Sequence, residues 1–157
     1  MTEGHGPIPH LLSSGKFEYS KGQSESTTIS FLVMKKFSMN MYDFLDRQTN
    51  FDQSWVLRII SNLVIALELV HQSGHVYNDL KLDNIMVQMS KHDEAHILLI
   101  DYGMATSYLD EEKNHLEQEK VSSFKGNILF ASLNALLFNR PSRKDDLVSL
   151  CYLMIML

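Results

Sequence analysis

The clearest pattern in the chain is helical. In QSWVLRIISNLVIALELVHQSG, residues 53–74, the apolar positions Val56, Ile59, Ile60, Leu63, Val64, Leu67 and Val70 recur at helical spacing. That spacing lines one face of an α-helix, with Asp52 as a candidate cap and Gly74 as a stop. MNMYDFLDR (39–47) reads as a shorter helix that Ser38 or Asn40 can cap. ISFLVM (29–34) is a compact β-branched and apolar run, the signature of a buried strand. NIMVQM (84–89) and HILLID (96–101), separated by the polar SKHDEA, predict a β-hairpin. Residues 13–28, SSGKFEYSKGQSESTT, read as turns around a short edge strand. Residues 104–127 show mixed charge and no apolar face, which fits an exposed mobile segment or a functional loop. The last run, SRKDDLVSLCYLMIML (142–157), starts with capping residues and becomes apolar on every side. A helix of that kind asks for burial all round.

Between the long helix and the hairpin stands HVYNDLKLDNIMV (75–87), which sets Asp79, Lys81 and Asn84 inside an apolar segment. A helix would spread the three over different faces, and a strand would turn Asn84 away from the other two. Only an irregular loop brings them together. The hairpin then delivers a further acid, Asp101, followed by Tyr102 and Gly103.

Composition narrows the function classes. A chain of 157 residues with 45% hydrophobic content normally buries one core, so one domain or a piece of one is expected. The net charge of -5 and a pI near 5.7 speak against phosphate neutralisation, so nucleic acid is not an expected partner. Cys151 is the single cysteine and lies in an apolar run. It reads as a buried inert thiol, which excludes an internal disulfide and fits an intracellular location, cytoplasmic or nuclear. The start, MTEGHGPIPH, has neither a basic flank nor an apolar stretch, and no segment is expected to reach the roughly 20 apolar residues of a membrane span. No membrane partner is expected either. His71 and His75 stand four apart, a zinc-compatible spacing, but Gln72 occupies the place of a metalloprotease glutamate and no third ligand is evident. Packing and turn roles are the simpler reading.

The order of these parts resembles a eukaryotic protein kinase catalytic domain. YNDLKLDN looks like the family's H-R-D-L-K-x-x-N and DYG like its D-F-G. FLVMKKFSMNMYDFL is similar to the hinge region of the casein kinase 1 and vaccinia-related kinase group. LIDYGMATSY, KGNILFASLNA and SRKDDLVSL resemble its metal strand, the end of its activation segment and its central helix. The resemblance implies an α+β, partial kinase-like fold: the end of a small lobe over 1–34, a hinge over 35–38, and a mostly helical large lobe with a hairpin from 39 to 157. It also implies ATP-dependent serine/threonine phosphorylation of a protein substrate, with ATP and Mg2+ as cofactors. Phosphoryl transfer needs mainly positioning and charge neutralisation. Asp79 would orient the substrate hydroxyl, Lys81 would lie beside the transferring phosphate, and Asn84 and Asp101 would hold magnesium. Met34, Lys35, Lys36 and Phe37 would contact adenine from the hinge and Met86 from below, although plain core packing accounts equally for the three apolar ones. Asp146 would support the loop backbone.

The same comparison shows departures. The Gly-rich loop, the strand lysine and the helix glutamate have no counterpart here, so the chain is expected to begin after the phosphate-gripping elements and to stop within the central helix. Asn78 replaces the usual arginine, which removes the partner of an activation-loop phosphate. Asn127 replaces a threonine that bridges the catalytic Asp and Lys, and can still hydrogen-bond. Leu129 replaces an arginine that helps bind acidic or phosphorylated substrates in casein kinase 1 relatives, so that substrate preference is not carried over. Two rival readings follow, a non-catalytic interaction module whose partner covers the apolar C-terminal helix, and a truncated gene product.

Overall fold

The computed structural model describes residues 6–20, 26–47, 53–89 and 95–157. Strands β1 (Leu11–Ser20) and β2 (Ser26–Met34) form an antiparallel ribbon with Gly15 opposite Phe31 and Phe17 opposite Ile29. The pleat gathers Phe17, Tyr19, Ile29, Phe31 and Val33 on one face, and Lys16, Glu18, Thr28 and Ser30 on the other. Two sequence expectations are corrected here. The first strand is ten residues long rather than a short piece between turns. The second is a strand but not a buried one, since Leu32 is 66% exposed and Ile29 39%. An apolar run predicts extended structure, but burial needs a second layer, and among the described residues no other element packs extensively on the ribbon.

After the ribbon, β3 (Met39–Asn40) leads directly into α1 (Met41–Arg47). Asn40 is the cap, its Oδ1 accepting from the Asp43 amide at 2.7 Å. Ser38 instead accepts from the Met89 amide at 3.4 Å. Helix α2 (Gln53–Gln72) buries Ile59, Leu63, Ala66, Leu67 and Val70 against the hairpin and the last helix. Gly74 follows with φ +86°, a left-handed conformation that ends the helix. The expected Asp52 cap lies outside the described residues. By length and composition α2 does reach a membrane span, with 20 residues and a mean hydropathy of 1.4, contrary to the expectation above. Core helices pass the same test, and its buried stripe packs inside the protein.

β5 (Ile85–Met89) and β6 (Ala95–Leu99) form the expected hairpin, with Ile85 opposite Leu99, and β3 adds a third strand on β5. Their alternation buries Ile85, Val87, Ile97 and Leu99 in the core with α2. β4 (His75–Val76) pairs with β7 (Thr106–Ser107). That pairing ties the charged segment after Asp101 to the end of α2, where the Tyr108 hydroxyl donates to the His71 carbonyl at 2.8 Å. α3 (Leu133–Leu136) is capped by Ser132, and α4 (Arg143–Met156) closes the fold.

The burial expected all round α4 is found on one side only. Asp145, Asp146, Ser149, Leu150 and Leu153 are buried, whereas Leu147, Tyr152, Met154 and Met156 are exposed and Ile155 is 83% exposed. Cys151 is exposed as well, against the sequence reading of a buried thiol. It falls beside the stripe that packs on α2, so its apolar neighbours in sequence are not its neighbours in space.

Candidate functional site

The loop between β4 and β5 is built on a buried carboxylate. Asp146, 1% exposed in the first turn of α4, accepts from the Tyr77 amide through Oδ2 and from the Asn78 amide through Oδ1, both at 2.8 Å. His71 Nε2 meets the same Oδ2 at 2.8 Å. Three polar partners offset the cost of burying that charge. Asn78 itself is held at φ +69°, a strained position for a non-glycine residue. Its side-chain amide donates to the Met104 carbonyl and the Thr106 hydroxyl, each at 2.9 Å, and so clamps the loop to the segment after Asp101.

One residue further on, the predicted convergence is present. Asp79 is 5% exposed, and its Oδ2 accepts from Lys81 Nζ at 2.7 Å and from Asn84 Nδ2 at 2.8 Å. The Asn84 amide also donates to the Asp79 carbonyl at 3.0 Å. A 3-10 turn over Leu82–Asn84 supplies the curvature that brings Asn84 back toward Asp79. The irregular loop thus does what neither a helix nor a strand allows.

Asp101 follows shortly after β6, and the amide of the preceding Ile100 donates to the Asn84 carbonyl at 2.9 Å. Asp101 has φ +58°, is exposed, and accepts from the Gly103 amide at 3.1 Å. Beneath the loop, the fully buried Tyr77 donates to the Ile100 carbonyl at 2.5 Å and stands edge-on to Tyr102 at 5.5 Å. Burial pushes the Tyr77 phenol far above its ordinary value, against a smaller opposing effect of its Asn84 hydrogen bond. Tyr102 donates to the Leu99 carbonyl at 2.8 Å, and burial pushes it up to about 12.

The expected adenine contacts form a looser group. Met34 ends β2 and is 37% exposed, Lys35 and Lys36 are exposed, and Phe37 is half-buried. Met86, half-buried, pairs with Asn40 and Leu98, so the 35–38 connection and β5 are neighbours through β3. Asn127 does hydrogen-bond, but locally. Its Oδ1 accepts from the Leu129 amide at 2.8 Å and caps a 3-10 turn over Ile128–Phe130, with no bond to Asp79 or Lys81 among the described residues. Leu129 is 80% exposed. His75 Nδ1 meets the Ser73 carbonyl at 2.9 Å, a turn contact. Sequence reasoning placed Asp146 under the loop but missed that His71 is its partner.

Residues 17–157 match the Protein kinase domain family, and the chain belongs to that family. Among curated proteins it is similar to a probable casein kinase I homolog of Encephalitozoon cuniculi (strain GB-M1). The two are 30% identical over 151 residues, which is 96% of this chain and 43% of that protein. The chain therefore spans less than half the length of the relative it matches.

Proposed function

We propose that the protein carrying this chain is a serine/threonine protein kinase that transfers a phosphoryl group from Mg-ATP to a protein hydroxyl. The observation that carries this reading is the meeting of Lys81 and Asn84 on the buried carboxylate of Asp79. In this reading Asp79 orients the attacking hydroxyl and receives its proton, with Lys81 beside it as a positive charge for the transferring phosphate. Asn84 spends its amide nitrogen on Asp79, which leaves its amide oxygen as a metal donor, and the exposed Asp101 carboxylate supplies a second. Among the described residues no group of three or more His, Cys, Asp or Glu is placed to hold a metal ion by itself. Two hard oxygen donors fit magnesium, which keeps waters and binds substrate phosphates rather than demanding an all-protein cage. When bound, the ion would neutralise charge on the phosphates.

We read 1–34 as the end of a small lobe, 35–38 as the hinge, and 39–157 as the start of the large lobe. Met34, Lys35, Lys36, Phe37 and Met86 then face adenine. The exposed apolar ribbon face and the open side of α4 favour a second reading, a non-catalytic interaction module.

Radiolabelled ATP and a casein substrate separate the two when applied to the protein at full length. The kinase reading expects magnesium-dependent label transfer that falls by about 10²–10⁴-fold in Asp79→Asn. No transfer, or transfer indifferent to that substitution, would overturn it in favour of the second.

A further inference from the structure

A cavity of about 450 Å³ lies where the end of α2, the segment after β7 and the first turn of α4 meet, lined by His71, His115, Ser142, Arg143, Lys144 and Leu147. Arg143, Lys144 and His115 line it with His71, whose Nε2 is already paired with Asp146, and no lining residue is acidic, in a chain whose net charge is -5. The cluster is organised rather than loose. The Arg143 guanidinium sits 4.7 Å over the Tyr108 ring, and the His115 ring lies 5.4 Å from the same ring, tilted against it. Tyr108 is buried and tied through its hydroxyl to the His71 carbonyl, so it is a fixed post for both. His115 is further held through Nδ1 by the Leu116 carbonyl at 2.8 Å.

Arg143 and Lys144 have no carboxylate partner among the described residues. The nearby Asp145 forms no ion pair with either, its oxygens accepting instead from Ser132, Asn134 and Ser142. What remains is a guanidinium fork pre-oriented on an aromatic face, an ammonium and an imidazole around one space. A planar fork held in this way loses little freedom on meeting a tetrahedral oxyanion. The space is also larger than a phosphate group and has an apolar wall in Leu147, 47% exposed, which leaves room for whatever carries the group.

We propose that this cavity binds a phosphate group, either as a free small phosphate or carried on a phosphorylated side chain of a peptide. The site uses none of the residues assigned to phosphoryl transfer, and the proposal holds whether or not the kinase reading does.

The full-length protein, titrated at fixed pH and ionic strength with inorganic phosphate, a phosphoserine peptide and its unphosphorylated counterpart, tests it. The readout is the His115 ring resonances, which locate binding to this cavity. Saturable shifts with phosphate and with the phosphopeptide at equal affinity assign a free phosphate. Shifts at least about tenfold tighter with the phosphopeptide, and none with the plain peptide, assign a phosphorylated side chain. In either case Arg143→Gln and Lys144→Gln, both exposed positions, should each weaken binding by about tenfold with unfolding midpoints unchanged, and Arg143→Lys should restore part of the loss. No saturable shift with either phosphate probe, or shifts that survive the double Gln variant, would overturn the proposal.

Discussion

Gly126 passes so close to Asn78 that a Cβ placed on it would lie 2.1 Å from the Asn78 carbonyl oxygen. Its φ of +103° is a conformation that side-chain-bearing residues rarely adopt. The segment after the charged stretch is therefore seated directly against the backbone that precedes Asp79, and a bare backbone is what permits the seat. Gly126→Ala should destabilise the fold by about 1–3 kcal/mol from the backbone conformation alone, with more from the contact. Thermal unfolding would show a lower midpoint, and the Asn78 and Asp79 amide resonances should move more than those of the hairpin.

A second dependence runs from α2 to the loop through α4. His71 and Asp146 are far apart in sequence yet meet at 2.8 Å, and Asp146 holds the Tyr77 and Asn78 amides. Asp146→Ala leaves those two amides and the imidazole without an acceptor in a buried place, a loss of about 3–5 kcal/mol. His71→Ala removes only one partner of the carboxylate and should cost about 1–2 kcal/mol. Once Asp146 is gone, His71 has nothing left to support, so the two losses should be less than additive in a double-mutant cycle of denaturant midpoints. Additive losses would show that the pair is not coupled.

That pair marks where sequence reading stops. The period of α2, the β5–β6 hairpin and the Asn40 cap are local features, written within a few residues of the elements that they specify. The Asp79, Lys81 and Asn84 convergence was legible for a related reason, because neither regular period can bring the three together. Burial was legible only where both packing partners lie in the described elements. The β2 run and Cys151 look buried by their neighbours in sequence, yet β2 is open along its length and Cys151 lies beside the α2-facing stripe of α4. Asn127 illustrates the same principle, since its hydrogen-bonding capacity was legible but not that a local turn rather than the distant pair takes its oxygen. His71 escaped notice as Asp146's partner because nothing local distinguishes a turn histidine from one that reaches another helix.

The Asn84 amide is the electrical complement of Asp79, and replacing it with a carboxylate inverts that relation. Asn84→Asp removes two donated hydrogen bonds and sets a negative charge where Nδ2 now lies 2.8 Å from Asp79 Oδ2. Two carboxylates this close raise the folded-state affinity for a proton above that of the unfolded chain. A group whose value is raised on folding contributes stability below its unfolded value and loses it as the pH climbs through the folded one. Relative to the parent protein, the variant should therefore be nearly as stable in acid and fall behind by about 2 kcal/mol toward neutral pH. Urea midpoints measured across the carboxylate range check the sign. A constant deficit at all pH values would show that the lost hydrogen bonds alone account for it.

The two edge-to-face phenols beneath the loop make a prediction at the other end of the pH scale. Tyr77 and Tyr102 donate to the Ile100 and Leu99 carbonyls, at the end of the strand that delivers Asp101, and burial raises both, Tyr102 to about 12. An unfolded chain ionises its tyrosines near their ordinary value of about 10. Between that value and the raised ones the unfolded state releases protons that the folded state keeps, so the native state is fully favoured below about pH 10 and weakens above it. Each tyrosine contributes a slope of at most about 1.4 kcal/mol per pH unit. Tyr77, fully buried and raised further, should sustain its slope beyond the point where Tyr102 has titrated. Tyr77→Phe removes a buried hydrogen bond and should lower stability at neutral pH by about 1 kcal/mol, while flattening the alkaline decline. Tyr102→Phe should flatten only its earlier part. Guanidinium midpoints recorded from pH 8 upward, with tyrosinate absorbance followed in parallel, distinguish the two. An alkaline slope that both single variants share with the parent would show that other groups govern it.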